Sequence, residues 1–178
     1  MKKIIALAGS NSKESINKQF AYYVSELIEG VDLIQLDLND FEVPMYGIDE
    51  ENENGMPKDA QSLTKLIQKA DGIVISLAEH NGSYTAVFKN IFDWISRIEA
   101  KVFETTPVFL LSTSSGGRAG SSVMQAAMDR FPRHGATIPA NFSLPSFYDN
   151  FKDGKLVDEN LLSDLKEKIT LFEEELKS

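Results

Sequence analysis

The sequence has 178 residues, of which 42% are hydrophobic and 25% charged, as is typical of one globular domain with a sizeable core. The excess of 27 acidic over 18 basic residues leaves a net charge of −9, which argues against nucleic acid or an anionic membrane as a partner. The absence of cysteine excludes disulfides and thiol nucleophiles, and two histidines are too few for a histidine-rich metal site.

The first residues, MKKIIALAG, combine two lysines with an apolar run, as a secretory signal does. The run Ile4–Ala8 is shorter than the roughly seven residues of the shortest usual signal core. No later segment approaches the roughly 18 apolar residues of a membrane span. We therefore predict a cytoplasmic protein in which Ile4–Ala8 is the first strand.

Strand-like and helix-like apolar patterns alternate along the chain. Strands are predicted at Ile4–Ala8, Val31–Leu38, Gly72–Ala78, Pro107–Ser112 and Ala136–Ser143. Helices are predicted at Ser15–Glu29, Lys58–Ala70, Thr85–Ile98, Gly120–Phe131 and Asp158–Leu176, with a long loop at Asn39–Pro57 and a polar loop before the last helix. This strict alternation predicts an α/β fold in which right-handed crossovers place helices on both faces of a parallel sheet.

Ligands of such sheets bind beyond the carboxyl ends of the strands. We therefore expect a site in the loops after the first, third and fourth strands, which are Gly9–Asn17, Glu79–Tyr84 and Thr113–Ala119. The second of these contains Asn81-Gly82, which is typical of a tight turn. The glycines of the third would let the main chain approach a ligand closely, or would only make a flexible connection.

The loop Gly9–Asn17 has neither a Walker sequence nor the glycine spacing of a dinucleotide site. Its serines and Asn17 surround a predicted helix N-terminus, where free N–H groups and the helix dipole favour an anion. Neutral donors of this kind suit a phosphate monoester. Simple helix capping by Ser15 explains the pattern equally well.

The predicted helix Thr85–Ile98 is apolar around much of its circumference, with Phe88, Ile91 and Ile95 on one stripe and Trp94 on another. Burial of both stripes in the core explains this pattern, and so does contact with a second subunit.

The loops together resemble those of the NADPH-dependent FMN reductases of flavodoxin-like fold, which include quinone, azo and chromate reductases. The resemblance extends from Met1 to about Phe147. The family motif GSxRxxSxN is present as GSNSKESIN, with serine in place of the arginine, so a charged phosphate partner is absent. In the family this loop holds the FMN phosphate, which implies contacts from Ser10, Ser12, Ser15, Ile16 and Asn17.

The second family motif, PxYNxSxPxxLKNxIDW, is present as AEHNGSYTAVFKNIFDW at Ala78–Trp94. His80 replaces the family's tyrosine, and Ala78 and Thr85 replace its two prolines. In the family this loop cradles the isoalloxazine ring, and a Ser/Gly-rich loop lies beside it. The flavin contacts implied here are Glu79, His80, Asn81, Gly82, Ser83, Ser114, Ser115, Gly116 and Gly117.

The resemblance implies a single flavodoxin-like domain, a three-layer α/β/α sandwich with five parallel strands in the order 2-1-3-4-5. It also implies an FMN-dependent oxidoreductase that takes hydride from NADPH or NADH and serves a small acceptor such as a quinone, azo compound, flavin or metal oxyanion. The cofactor carries this chemistry, so no catalytic side chain and no metal are assigned. Main-chain N–H groups of Ser115–Arg118 would stabilise negative charge on the ring.

The resemblance further implies a homodimer or homotetramer built on the helices Thr85–Ile98 and Gly120–Phe131. Arg97 and Arg118 are candidates for the nucleotide phosphates. Two alternatives stay open, an electron carrier of the flavodoxin type and a flavin-binding sensor, although the carrier's TxTGxT-type loop is absent. A receiver domain is disfavoured because Ser76–Ala78 lacks the required aspartate.

Overall fold

Five parallel strands form the central sheet of the computed structural model, which describes residues 1–178. The strands are β1 (Lys2–Gly9), β2 (Val31–Gln35), β3 (Gly72–Leu77), β4 (Pro107–Thr113) and β5 (Thr137–Leu144). Their spatial order is β2-β1-β3-β4-β5, so the predicted order 2-1-3-4-5 is confirmed. β3 is buried along its whole length, as its nearly all-apolar sequence predicts.

Helices cover both faces of this sheet. They are α1 (Ile16–Glu26), α2 (Ile48–Asn54), α3 (Lys58–Gln68), α4 (Ala86–Ile98), α5 (Ser121–Arg130), α6 (Phe147–Asn150) and α7 (Glu159–Lys177), with 3₁₀ turns at Leu38–Asp40 and Phe131–His134. Apolar side chains of α3, α4 and α5 fill the core on one face, and those of α1 and α7 fill it on the other. The three-layer α/β/α architecture is therefore confirmed. None of the helices is long and apolar enough to cross a membrane.

The segment after β2 differs from the prediction, because α2 forms within the predicted loop Asn39–Pro57. No residue of α2 is buried, so the helix leaves no apolar periodicity in the sequence. Acidic residues in its first turn favour the helix through its dipole. Arg97 of α4 also holds it, donating from Nε and Nη2 to the Glu51 carboxylate at 2.9 and 3.0 Å.

The second apolar stripe of α4 is covered by the chain itself. Trp94 Nε1 and Asn90 Nδ2 donate to the Pro44 carbonyl at 2.8 and 2.9 Å. The Tyr46 ring meets the Trp94 ring edge-on, with centroids 5.0 Å apart. Ile95, on the other stripe, is only 3% exposed. Of the two explanations for the wide apolar arc, the structure therefore supports burial of both stripes.

The predicted polar loop after β5 also contains regular structure. It forms α6 and then a short hairpin that pairs Phe151–Lys152 with Lys155–Leu156. The rings of Phe147 and Phe151 stack at a centroid distance of 4.8 Å and are both buried. This local aromatic cluster stabilises a segment too short to show a helical period.

The carboxyl ends of four strands meet at one edge of the sheet. Gly9 of β1 pairs with Leu77 of β3, and Thr113 of β4 pairs with Leu144 of β5. A Cβ atom on Gly9 would lie 2.9 Å from Leu77 Cδ2 and 3.2 Å from Phe88 Cγ, so any larger residue here would force the Leu77 side chain and the Phe88 ring of α4 to shift. The loops that leave these strands therefore surround a common space.

Candidate functional site

The loops after β1, β3, β4 and β5 line an open cleft of about 280 Å³ at the carboxyl edge of the sheet. This volume lies near the lower end of the roughly 300–1,000 Å³ of small-molecule sites. The lining residues are Ser10, Ser12, Glu14, Ser15, Ile16, Asn17, Ala78, Glu79, His80, Thr113, Ser114, Ser115 and Tyr148. The structure thus brings together most of the residues that the sequence predicts for a flavin site.

Five predicted contacts do not line this cleft. Asn81 and Gly82 have φ angles of 52° and 74° and form the tight turn of a hairpin that pairs Glu79–His80 with Ser83–Tyr84. This is the turn that an Asn-Gly pair predicts. Gly116 and Gly117 belong to the loop beside the cleft and are exposed, as Asn81, Gly82 and Ser83 are.

Tyr148 is the most informative lining residue that the sequence analysis missed. Tyr148 is 61% exposed and so is one of the few large hydrophobic residues that the fold leaves accessible. The loop that carries it is fixed to the loop after β4, because Ser146 N–H donates to the Gly116 carbonyl and Phe147 N–H to the Ser114 carbonyl, each at 3.0 Å. The pair of aromatic residues in the short loop after the fifth strand, Phe147 and Tyr148, is the signal that could have identified it.

The loop after β1 presents unpaired main-chain donors. Ser15 is the N-cap of α1, and its Oγ accepts a hydrogen bond from Lys18 N–H at 3.2 Å, so the capping interpretation is confirmed. The N–H groups of Lys13, Glu14, Ile16 and Asn17 donate to no acceptor within the chain. Four unpaired N–H groups at a helix start form a site suited to an anion.

The loop after β4 also presents unpaired main-chain donors. None of the five main-chain N–H groups of Ser114–Arg118 donates a hydrogen bond within the chain. A Cβ atom placed on Gly116 or Gly117 would meet no atom within 4 Å, and neither residue has a positive φ angle. Nothing inside the protein requires glycine at these positions, whereas close approach to a planar ligand would require it.

Glu79 has a defined structural role. Its Oε2 accepts hydrogen bonds from the N–H groups of Ser122 and Val123, at 2.9 and 3.0 Å. Glu79 thereby caps the N-terminus of α5, whose own N-cap residue, Gly120, has no side chain to do so. Glu79, a predicted flavin contact, thus lines the cleft, and one oxygen of its carboxylate is hydrogen-bonded to the N-terminus of α5.

The cleft contains no basic side chain except that of His80. Arg97, a candidate for nucleotide phosphates, is paired with Glu51, and its only two side-chain hydrogen bonds go to that residue. Arg118, the other candidate, is exposed and donates to Ser122 Oγ at 3.1 Å. The site therefore suits a phosphate bound by neutral donors and a helix N-terminus, as the FMN phosphate would be.

A larger groove of about 620 Å³ lies at the opposite edge of the sheet, between the amino ends of β1 and β2 and the last turns of α7. Parallel sheets of this type bind ligands at their carboxyl edge. None of the sequence motifs reaches this groove, so it is not the candidate site.

Comparison with known proteins agrees with the fold and the motifs. The model of the NADPH-dependent FMN reductase family matches residues 2–149. A quinone reductase of Escherichia coli K12 is 31% identical over 123 residues, which are 69% of this chain and 65% of that protein. The subunit CrdA of an NADH:(hydroxy)cinnamate reductase of Vibrio ruber is 28% identical over 170 residues, covering 92% of this chain and 81% of that one.

The solved structure of FerB, a flavoenzyme NAD(P)H:(acceptor) oxidoreductase of Paracoccus denitrificans, superposes with a TM-score of 0.78. Its sequence is 21% identical, and the match covers 99% of this chain and 98% of FerB. This similarity supports the flavodoxin-like fold. Because the family model matches most of the chain and both loop motifs lie at one cleft, the chain belongs to the NADPH-dependent FMN reductase family.

Proposed function

We propose that this protein is an FMN-dependent NAD(P)H oxidoreductase that reduces a small acceptor such as a quinone, an azo compound, a flavin or a metal oxyanion. The relatives supply the acceptor classes, since they include a quinone reductase and an NADPH azoreductase. The quinone reductase is matched over 65% of its length, so its activity is carried over only as part of this proposal.

One observation carries the proposal, namely that two groups of unpaired main-chain donors flank the same cleft. The first group lies at the start of α1, and the second is the loop Ser114–Arg118. FMN has a dianionic phosphate at one end and, at the other, a ring that gains negative charge on reduction. The two donor groups are complementary to these two ends.

FMN supplies the hydride-accepting chemistry when bound. The chain's own contribution is binding, orientation and electrostatics. The N–H groups at the start of α1 and the Ser15 hydroxyl would hold the phosphate, and the N–H groups of Ser114–Arg118 would face the charge that develops on the ring. Glu79 keeps this loop in place by capping α5. NADPH or NADH and the acceptor would use the open side of the cleft.

The proposal is tested by titrating the purified apoprotein with FMN and with riboflavin, and then adding NADPH or NADH anaerobically to the FMN-loaded protein. We expect tighter binding of FMN than of riboflavin, and bleaching of the flavin absorbance by at least one nucleotide. Equal affinity for the two flavins would refute a phosphate site at α1. FMN binding without bleaching would favour the alternative, an electron carrier or sensor that does not turn over NAD(P)H.

The proposed assembly is a homodimer or homotetramer. The sequence suggested that apolar residues of α4 and α5 form its interface, but the structure does not leave these residues free for a second subunit. The apolar residues that predicted the interface are buried within one chain, including Ile95 at 3% and Phe131 at 0% exposure. Replacing Ile95 by Asp would therefore place a carboxylate in the core of one chain and unfold it, so this substitution cannot test subunit contact. Light scattering at micromolar concentration tests the assembly directly. The cytoplasmic location stays a prediction.

A further inference from the structure

A buried amide joins two of the loops that line the cleft. Asn17 lies in the first turn of α1 and is 2% exposed. Its Oδ1 accepts hydrogen bonds from Ser76 Oγ at 2.7 Å and from Thr113 N–H at 3.1 Å. Its Nδ2 donates to the Thr113 carbonyl at 3.1 Å. The Asn17 side chain therefore contacts β3 and β4 simultaneously.

These hydrogen bonds continue the sheet beyond the point where β3 ends. The ladder between β3 and β4 stops at the pair Leu77–Ser112, because the chain after β3 turns away into a hairpin. Thr113, the next residue of β4, would then have an unpaired N–H and an unpaired carbonyl in a buried position. The Asn17 amide binds both groups and so takes the place of the missing strand residue.

The network extends from Thr113 to the rest of the cleft. Thr113 Oγ1 donates to the Leu144 carbonyl at the end of β5, at 2.7 Å. The residues that follow Thr113 are Ser114–Arg118, whose five N–H groups are unpaired. Asn17 therefore connects the helix that starts at the proposed phosphate site with the loop that would face the flavin ring.

We propose that the Asn17 side chain is a positioning residue that holds Ser114–Arg118 at a fixed distance from the start of α1. This inference rests on the proposed FMN function. Oδ1 already accepts two hydrogen bonds and Nδ2 is buried against Thr113, so the side chain is not a phosphate ligand. Any contact of this residue with the phosphate comes from its unpaired main-chain N–H.

A comparison of FMN and riboflavin affinities distinguishes a positioning role of Asn17 from a direct contact with the phosphate, since riboflavin lacks the phosphate. Asn17→Ala should weaken FMN and riboflavin by the same factor, about tenfold. It should also make the midpoint potential of bound FMN more negative, because displaced N–H groups stabilise the reduced ring less.

Ser12→Ala is the matched control, since the Ser12 side chain is exposed and makes no hydrogen bond within the chain, and it should weaken FMN alone.

Loss of FMN affinity with unchanged riboflavin affinity in Asn17→Ala would overturn the proposal in favour of a direct ligand. Unchanged affinity for both flavins would also overturn it. Ser76→Ala removes one of the three hydrogen bonds and should show the same equal loss at a smaller size, which keeps the test available if Asn17→Ala does not fold.

A second measurement needs no flavin. Amide hydrogen exchange at Thr113 should be faster in Asn17→Ala than in the wild type, whereas exchange at Ile169 in α7 should not change. If the wild-type protein binds neither flavin, the proposed function fails, but the exchange result still decides whether Asn17 fixes β4. Equal exchange at Thr113 in both proteins would refute the positioning role.

Discussion

Lys18 donates a hydrogen bond of 2.7 Å from Nζ to Oδ2 of Asp37, so the lysine on the first turn of α1 is already committed to a carboxylate. This hydrogen bond raises the pKa of Lys18. Burial is the largest influence on the pKa of Asp37 and acts to raise it, but the hydrogen bonds from Lys18 and Asn39 and the charge of Lys18 together outweigh burial and hold that pKa below its ordinary value. The carboxylate's contribution to stability is present above the ordinary Asp pKa and is lost as the pH falls through the lowered pKa.

Adding a cation at the phosphate loop should strengthen FMN binding specifically. Ser12 is exposed, lines the cleft and stands where the resembling family has arginine. We expect Ser12→Arg to tighten FMN about threefold to tenfold at low salt, with a smaller gain at high salt and no gain for riboflavin. Fluorescence titration measures both affinities. Asn52→Arg makes the same charge change on exposed α2 and serves as the control. An equal gain for riboflavin would contradict a phosphate site here.

A methyl group on the loop after β4 should block flavin without harming the fold. A Cβ atom on Gly117 meets nothing within 4 Å, so Gly117→Ala should leave the free energy of unfolding unchanged or raise it by about 0.4–1 kcal/mol. We expect at least tenfold weaker FMN and riboflavin binding, measured by titration beside urea unfolding. Gly47→Ala, also in open space but at the start of α2, should leave binding unchanged. Wild-type flavin affinity in Gly117→Ala would show that the loop does not approach the ring.

The exposed ring of Tyr148 should contribute to binding rather than to folding. Its side chain lines the cleft and is 61% exposed. We expect Tyr148→Ala to weaken FMN by about 0.5–1.5 kcal/mol, since the aromatic contact is lost, and Tyr148→Phe to retain most of the affinity. Leu171→Ala on α7, a residue 44% exposed, is the control for loss of an exposed apolar side chain. If Tyr148→Phe lost as much affinity as Tyr148→Ala, the hydroxyl rather than the ring would be the contact.

The hydroxyl of Tyr84 is buried without a hydrogen-bond partner. Burial raises the pKa of Tyr84 to about 12, so the folded state favours the neutral form and loses stability as the pH rises from about 10 towards 12. We expect Tyr84→Phe to stabilise the protein by about 1 kcal/mol at pH 7 and to reduce the loss at alkaline pH. Urea unfolding at pH 7 and pH 11 measures both effects.

Tyr22→Phe is the control, because the Tyr22 hydroxyl, unlike that of Tyr84, has a hydrogen-bond partner: Tyr22 Oη donates to the Leu36 carbonyl at 3.0 Å. This variant should lose about 1 kcal/mol at pH 7. A Tyr84→Phe protein that is less stable than the wild type would mean that the Tyr84 hydroxyl has a partner in solution.

The parallel sheet and the location of the cleft could be predicted from local patterns in the sequence, whereas the strand order was implied by the family resemblance. β3 has a nearly all-apolar sequence, and α4 has a strong helical period. α2 could not be predicted in this way, since none of its residues is buried and it is held by Arg97, 46 positions from Glu51.

The sequence by itself determined the alternation of strands and helices, the parallel sheet and the two loop motifs, since apolar periodicity and motif spacing act over a few residues. Only the tertiary structure decided what the motif side chains do. Glu79 caps α5 across 43 positions, and Asn17 pairs with Thr113 across 96. Pro44 receives the Trp94 indole N–H across 50. Such partners satisfy buried polar groups that exist only once distant segments have packed together, and no local pattern encodes which partner each group finds.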